Sequence, residues 1–340
     1  MGPGGAKSAA TMGGTRTGVG RCAGTFGELL QGALPLERRE FLVTLPITEG
    51  SAARFTVVPG SEGVRVSPAH KEKSRRLAEE LLRLYGLEPG GTLRVESALP
   101  EGKGCASSSA DMVATARAIE SAFGIRIPRH SLARIMSRIE PSDGVMYEGI
   151  VAFHQREGLV RSRLGTLPSL AIVALDEGGR AETTEVCGDR GFRSPGRLAE
   201  YERLLRALGR AVRRRHLPSV GYVSTRSAVL NQDVLPKEHL ELALELSARY
   251  GALGVVATHS GTCLGLLFDP RAPRHPEVLS ELVDELLAHH RPGVRIYRTH
   301  GSGHRDCHER NEGATRFAAW PVRTNGDAVD SRSCEPERRP

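Results

Sequence analysis

The 340-residue sequence has few aromatic residues: one Trp, six Tyr and eight Phe. So few rings offer little for stacking exposed bases, and no nucleic-acid-binding motif accompanies them, which argues against nucleic acid as a partner. Cysteine is sparse as well. Cys22, Cys105, Cys187, Cys263, Cys307 and Cys334 lie far apart with no Cys-x-x-Cys pair, so reduced thiols in a cytoplasmic protein are expected rather than a disulfide framework. Apolar runs such as 169–175 and 254–258 fall well short of the ~20 residues that cross a bilayer, which argues against a membrane partner. Residues 1–20 lack the continuous apolar stretch of a secretion signal. Lysine is the rarest charged residue: only Lys7, Lys71, Lys73, Lys103 and Lys237 contribute to a Lys plus Arg total of 47.

What is present is sufficient for a folded protein. A 39% hydrophobic content supports a core, and the length fits one large or two modest domains. The net charge of +7 is almost all arginine, with a local excess at 197–215. Its leucines recur at core spacing, so this segment reads as a helix with a solvated basic face; a polyanion-binding patch is the alternative. Residues 1–20 read as a disordered tail and most of 301–340 as a loosely ordered one.

Between the tails, strand-like and helical runs alternate. Arg21 to Ala33, with Gly24, Gly27 and Gly32, reads as a loop-rich entry segment. Strands are expected at 40–46, 54–58, 63–66, 91–98 and 167–176, and helices at 71–85, 112–123, 129–138, 200–215 and 238–250. Residues 254–268 read as strand, small-residue turn, strand.

Three segments carry chemistry. The first is Pro100-Glu101-Gly102-Lys103-Gly104-Cys105-Ala106-Ser107-Ser108-Ser109-Ala110, between a strand and a helix. Glycines let backbone N–H groups approach an anion, the serines can cap the helix, and the positive end of the helix dipole favours negative charge. It reads as a phosphate loop or as a well-capped helix behind a flexible loop. Gly-Lys-Gly is not the Gly-Lys-Ser/Thr of a P-loop, and Ser107 stands where a Rossmann fingerprint needs its third glycine. The second is Glu140-Pro141-Ser142-Asp143, a turn exposing two carboxylates: a proton acceptor beside bound phosphate, or an ordinary Asx turn. The third is the turn at Thr258 to Thr262, either a close backbone approach to a ligand or a tight hairpin, with His259 as a possible base.

Together these segments resemble the GHMP kinase superfamily, whose central motif runs Pro-x-Gly-x-Gly-Leu-Gly-Ser-Ser-Ala-Ala. Here Cys105 replaces the Leu, Ala106 the third Gly and Ser109 an Ala. Within the superfamily the resemblance points to the L-threonine kinases of cobalamin side-chain synthesis. It rests on Gly27-Glu28-Leu29-Leu30-Gln31-Gly32, Gly102 to Ser108, and Glu140 to Asp143, in that order. It spans roughly 21–297. It implies an α+β fold: a ribosomal protein S5 domain 2-like N-terminal domain over 21–160 and a ferredoxin-like C-terminal domain over 161–300. It also implies ATP over Pro100 to Ala110 and Mg²⁺ at Ser108 and Glu140. Asp143 would approach the acceptor hydroxyl, with the acceptor facing Glu28, Gln31, Thr258, Ser260, Gly261 and Thr262. The expected reaction is phosphorylation of L-threonine, with serine or another hydroxylated metabolite as alternatives. A non-catalytic nucleotide or polyanion sensor on the same fold is the rival from another class. A homodimer is compatible with this reading.

Overall fold

Two long antiparallel strands, β1 (Thr17–Ala33) and β2 (Glu40–Val57), form the spine of the protein. The computed structural model describes residues 16–36, 39–179, 194–289 and 293–301. In chain order there follow β3 (Val64–Ser67), α1 (Glu72–Leu84), β4 (Gly91–Ser97), α2 (Ser107–Phe123), α3 (Arg129–Ile139), β5 (Ile150–His154), β6 (Leu159–Gly165) and β7 (Ala171–Asp176). After them come α4 (Pro195–Arg214), α5 (Leu217–Asn231), α6 (Leu240–Arg249), β8 (Gly254–Ala257), β9 (Cys263–Phe268), α7 (His275–His289) and β10 (Gly293–Arg298). The strands make one mixed sheet in the order β10-β7-β9-β8-β1-β2-β4-β3, with β5 on β2 and β6 on β5.

The expected loop at Arg21 to Ala33 is therefore a strand, which begins at Thr17, inside the stretch expected to lack order. Its glycines mark close approach instead of a turn. A Cβ on Gly18 would lie 2.2 Å from Ala118 O, one on Gly20 2.2 Å from Ala114 O, and one on Gly32 2.5 Å from the Tyr201 ring. Helix α2 thus lies directly on the β1 backbone through its alanines, and Tyr201 of α4 packs over the far end. The strands expected at 40–46 and 54–58 are one continuous strand, because Gly50 to Ala53 stay paired to β1, Ser51 to Ala53 pair with β4 as well, and Ile47 bridges Thr299. Helix α2 starts at Ser107, five residues before the expected start, and β7 starts at Ala171 instead of Leu167.

Helix α1 buries Leu77, Leu81 and Leu82, while Leu84 in its last turn is 47% exposed. Side-chain alternation in β7 divides the core: Ile172 and Ala174 join the main cluster under β1 and β2, while Val173 and Leu175 face a second cluster with Leu240, Leu246, Leu282 and Leu286. Covering both faces explains why β8 and β9 are so evenly apolar. Helix α4 buries Tyr201, Leu204, Leu205, Leu208 and Val212 and keeps Arg203, Arg206, Arg210 and Arg213 exposed, the solvated face read from its periodicity. Residues 302–340 and Cys187, Cys307 and Cys334 lie outside the described residues; Cys22, Cys105 and Cys263 are buried and in no disulfide.

Two features of the sheet place the site. Strand β1 shifts register against β2 between Ala23 and Leu30, with Gly27 at φ +53°. Such bulges re-aim side chains. Along the same stretch, a single residue pair, Glu28 with Ala257, joins β1 to β8.

Candidate active site

The three chemistry-bearing segments meet at the bulge of β1. The N–H of Thr25 donates to Cys105 O at 3.3 Å, and that of Gly27 to Gly104 O at 3.2 Å. In a trans peptide the C=O and the following N–H point opposite ways, so the N–H groups of Cys105 and Ala106 face away from β1. On the other flank, a Cβ on Gly104 (φ +79°) would lie 2.3 Å from Thr258 Cβ, and one on Gly261 would lie 2.1 Å from the carbonyl carbon and oxygen of Lys103. The loop Pro100 to Ala106 is wedged between β1 and the 258–262 turn. Glycine on each side makes that fit possible. Ala106 sits at φ +54°, ψ 33° as the α2 N-cap, a left-handed conformation that costs an alanine about 1 kcal/mol.

The serines do not cap α2 as expected; no side-chain cap bond is formed. With Ala106 at the cap position, they fall in the first helical turn and reach the carboxylates instead. Ser108 Oγ donates to Glu140, whose other oxygen takes Lys73 Nζ. Ser109 Oγ donates to Asp143 Oδ2 at 3.1 Å and accepts the Asp143 N–H at 3.0 Å. Nor is the Glu140 to Asp143 turn open to solvent. Helix α3 ends at Ile139, Glu140 is extended (φ −159°, ψ 158°), and the Ser142 N–H is pinned to Gln155 O at 3.2 Å, so the segment passes in front of the α2 N-terminus. Glu140 is 5% exposed. Burial, and to a lesser degree the nearby Glu140 charge, push the Asp143 carboxyl up from 3.8 to about 6 against the opposing pull of its Ser109 hydrogen bond.

Across the seam, Glu28 Oε2 accepts the His259 N–H at 2.6 Å, and Gln31 Oε1 pairs with His259 Nδ1. Burial, then the Asp143 charge, hold the Glu28 carboxyl well above the usual range. Burial and then the Lys237 ammonium depress His259 to about 4, so it is neutral at pH 7 and poorly suited to act as a base. Thr258 Oγ1 donates to Cys263 O at 3.0 Å and closes the turn, while Lys237 Nζ donates to Gly261 O. Ser260 is half-buried beside them. Thr262 Oγ1 donates to Asp176 Oδ1 at 2.7 Å, the same oxygen that holds Lys103 Nζ at 2.7 Å. Lys103 is thus tied to the end of β7. Burial pushes the Cys105 thiol up to about 12, so it packs and does not react.

Sequence reasoning missed Lys71, Lys73, Asp111, Asp176 and Lys237. Lys71 Nζ bridges Glu101 Oε1 at 2.6 Å and Asp111 Oδ2 at 2.7 Å behind the loop. The signal lay in the scarcity already counted. All four lysines among the described residues border this site, in a chain that uses arginine nearly everywhere else. A compact, strongly hydrated ammonium on a flexible stem is a different tool from a planar guanidinium.

The donor set fits a hard divalent cation held together with phosphate oxygens. Ser108 and Glu140 present a hydroxyl and a carboxylate at a helix N-terminus, and Mg²⁺ commonly takes one or two carboxylates and completes its shell with phosphates and water. Among the described residues no cluster of three or more His, Cys, Asp or Glu could hold a metal alone. A concavity of about 1350 Å³, lined by Gly24, Thr25, Arg117, Arg129, Gly144 and His300 among others, adjoins the site at Gly24, Thr25 and Gly144.

Residues 72–150 match the family described as GHMP kinases N terminal domain. The L-threonine kinase of Salmonella typhimurium is 26% identical over 294 residues, covering 84% of this chain and 94% of that protein. That of Citrobacter freundii is 26% identical over 283 residues, covering 82% and 96%. Among solved structures, homoserine kinase from Cytophaga hutchinsonii superposes with a TM-score of 0.64 at 14% identity, covering 86% of this chain and 97% of the other. L. major mevalonate kinase in complex with R-mevalonate does so with a TM-score of 0.60 at 18% identity, with the same coverage. No helix among the described residues is long and apolar enough to cross a membrane.

Proposed function

We propose that this protein transfers the γ-phosphoryl group of ATP to a small amino acid's hydroxyl, L-threonine first, because residues 72–150 match the GHMP kinases N terminal domain, the chain is similar to L-threonine kinases, and its fold is shared with mevalonate and homoserine kinases. The observation that carries the reading is the meeting of the glycine loop, the Glu140 to Asp143 segment and the 258–262 turn around the β1 bulge. A half-buried carboxylate whose pKa its surroundings raise to about 6, hydrogen-bonded to Ser109 beside the phosphate loop, supports a kinase over a nucleotide sensor.

In this reading the backbone N–H groups of Cys105 and Ala106 and the α2 N-terminus hold the phosphates. Ser108 and Glu140 hold Mg²⁺, which when bound neutralises charge on the transferring group. Lys73 and Lys103 keep the surrounding carboxylates oriented. Asp143 takes the proton of the acceptor hydroxyl as its oxygen bonds to the γ-phosphorus and the bond from that phosphorus to the bridging oxygen breaks, releasing ADP. The residues mostly position groups and balance charge.

Acceptor-stimulated ADP release, measured with L-threonine, L-serine, L-homoserine and mevalonate, tests the proposal. L-threonine is expected to give the highest kcat/KM. Stimulation by another alcohol alone would keep a kinase and remove threonine, and ADP release unaffected by any acceptor would remove the kinase.

A further inference from the structure

Two amide side chains on the acceptor flank are buried with hydrogen-bonding capacity unspent. Asn231 and Gln31 are each 1% exposed. Neither Oδ1 nor Nδ2 of Asn231 has a partner among the described residues, and neither does Gln31 Nε2. Buried polar atoms are normally paired, so three orphans on two neighbouring elements ask for a ligand.

Their placement is specific. Helix α5 is fixed to β1 by the Gln31 N–H, which donates to Ser227 Oγ at 3.1 Å. It is fixed to β8 by Ser224 Oγ, which donates to Val255 O at 2.8 Å. Asn231 lies one helical turn beyond Ser227 on the same face, at the α5 end nearer the 258–262 turn. Its carbonyl accepts the N–H groups of Val234 and Leu235, both at 2.9 Å, which turns the chain toward Lys237 and its bond to Gly261 O. Glu28, Gln31, Asn231, Lys237 and His259 therefore gather at one end of α5, across the bulge from Asp143.

We propose that Asn231, with the free Nε2 of Gln31, determines acceptor specificity by binding the charged α-amino and α-carboxylate groups of an amino-acid substrate. The amide N–H groups donate to the carboxylate and Asn231 Oδ1 accepts from the ammonium, which leaves the side-chain hydroxyl to approach Asp143. An acceptor carrying only a hydroxyl would leave these atoms unpaired, and sites of this kind discriminate strongly against analogues that cannot satisfy them. This inference rests on the reading of the protein as an amino-acid kinase.

Asn231→Leu keeps the side-chain volume and removes both orphan atoms, so a purely structural role predicts a lower Tm and an unchanged acceptor KM. Specificity predicts the reverse: Tm equal or higher, KM for L-threonine raised at least 10-fold, and KM for ATP within 2-fold of wild type. Calorimetric titration of L-threonine without nucleotide should show the same weakening. Wild type should lose at least 10-fold in kcat/KM on L-threonine amide and on 3-hydroxybutyrate, and the variant should narrow both gaps. If Asn231→Leu does not fold, Asn231→Ala carries the same comparison. Wild-type activity on threonine with its KM unchanged in both variants would overturn this inference alone. Activity only on alcohols lacking the amino and carboxyl groups, or none at all, would overturn it together with the amino-acid reading.

Discussion

Replacing Asp143 by asparagine is expected to lower kcat by about 10³-fold while ATP still binds, the scale on which general acid–base groups contribute. Asparagine fills the same volume and can keep the Ser109 hydroxyl as a partner, so the loss reports the missing proton acceptor and not a rearranged loop. In the wild type, burial raises this carboxyl to about 6, and a base works only when deprotonated, so kcat/KM should rise with pH through about 6 and then level off. The sign for folding is opposite. Between about pH 4 and 6 the native carboxyl holds a proton that the unfolded one has released, so this residue's contribution to stability falls as pH rises through that window. Steady-state kinetics from pH 5 to 8 test the first statement and denaturant unfolding from pH 4 to 8 tests the second, while nucleotide titration of Asp143→Asn shows whether ATP still binds. Full turnover in Asp143→Asn would end the assignment of Asp143 as the proton acceptor.

The second large effect is expected from one methyl group. In Gly261→Ala the new Cβ would lie 2.1 Å from the Lys103 carbonyl carbon and oxygen, a backbone obstacle that no rotamer change can clear. The loop and the turn must then move apart, although Lys237 ties Gly261 from the other side. Overpacking of this kind costs about 1–3 kcal/mol, or a fall in Tm of about 5 °C for a chain of this size. The activity loss should exceed the stability loss, at roughly 10²-fold, because displacement of about 1 Å in a positioning element has that effect on chemistry. Gly196→Ala in α4, where a Cβ meets nothing within 4 Å, is the control and should leave Tm within about 1 °C. Equal behaviour of the two variants would show that the loop and turn are not in the contact described.

How much of this was legible in the sequence depends on whether the signal is local. The glycine loop, the Glu140 to Asp143 segment and the 258–262 turn are contiguous patterns, and the order of Gly27 to Gly32, Gly102 to Ser108 and Glu140 to Asp143 along the chain carried the family resemblance. Alternation in β4 and periodicity in α1, α3 and α4 were readable for the same reason. The failures are non-local. Gly18, Gly20 and Gly32 look like loop residues until α2 and Tyr201 are seen to lie on them. The Glu140 carboxylate reads as exposed until Ser108 and Lys73 arrive from two other helices. Ser107 to Ser109 have the composition of a cap, and only the left-handed Ala106 moves them inside the helix. Asn231 carries no local signal at all. It belongs to an unremarked stretch of α5, and only its unpaired burial draws notice.

The lysine distribution has a practical consequence. Since every lysine among the described residues borders the site, an amine-reactive reagent marks few positions of this protein besides the site, Lys7 and the terminal amine. Its four described targets differ in access, from Lys73 with 49% of its side chain exposed, through Lys103 at 15%, to Lys71 at 9%, and Lys237 is 4% exposed overall. A peptide map of modified amines, read with and without nucleotide or acceptor, would therefore report which flank of the site each small molecule shields, without a single engineered residue.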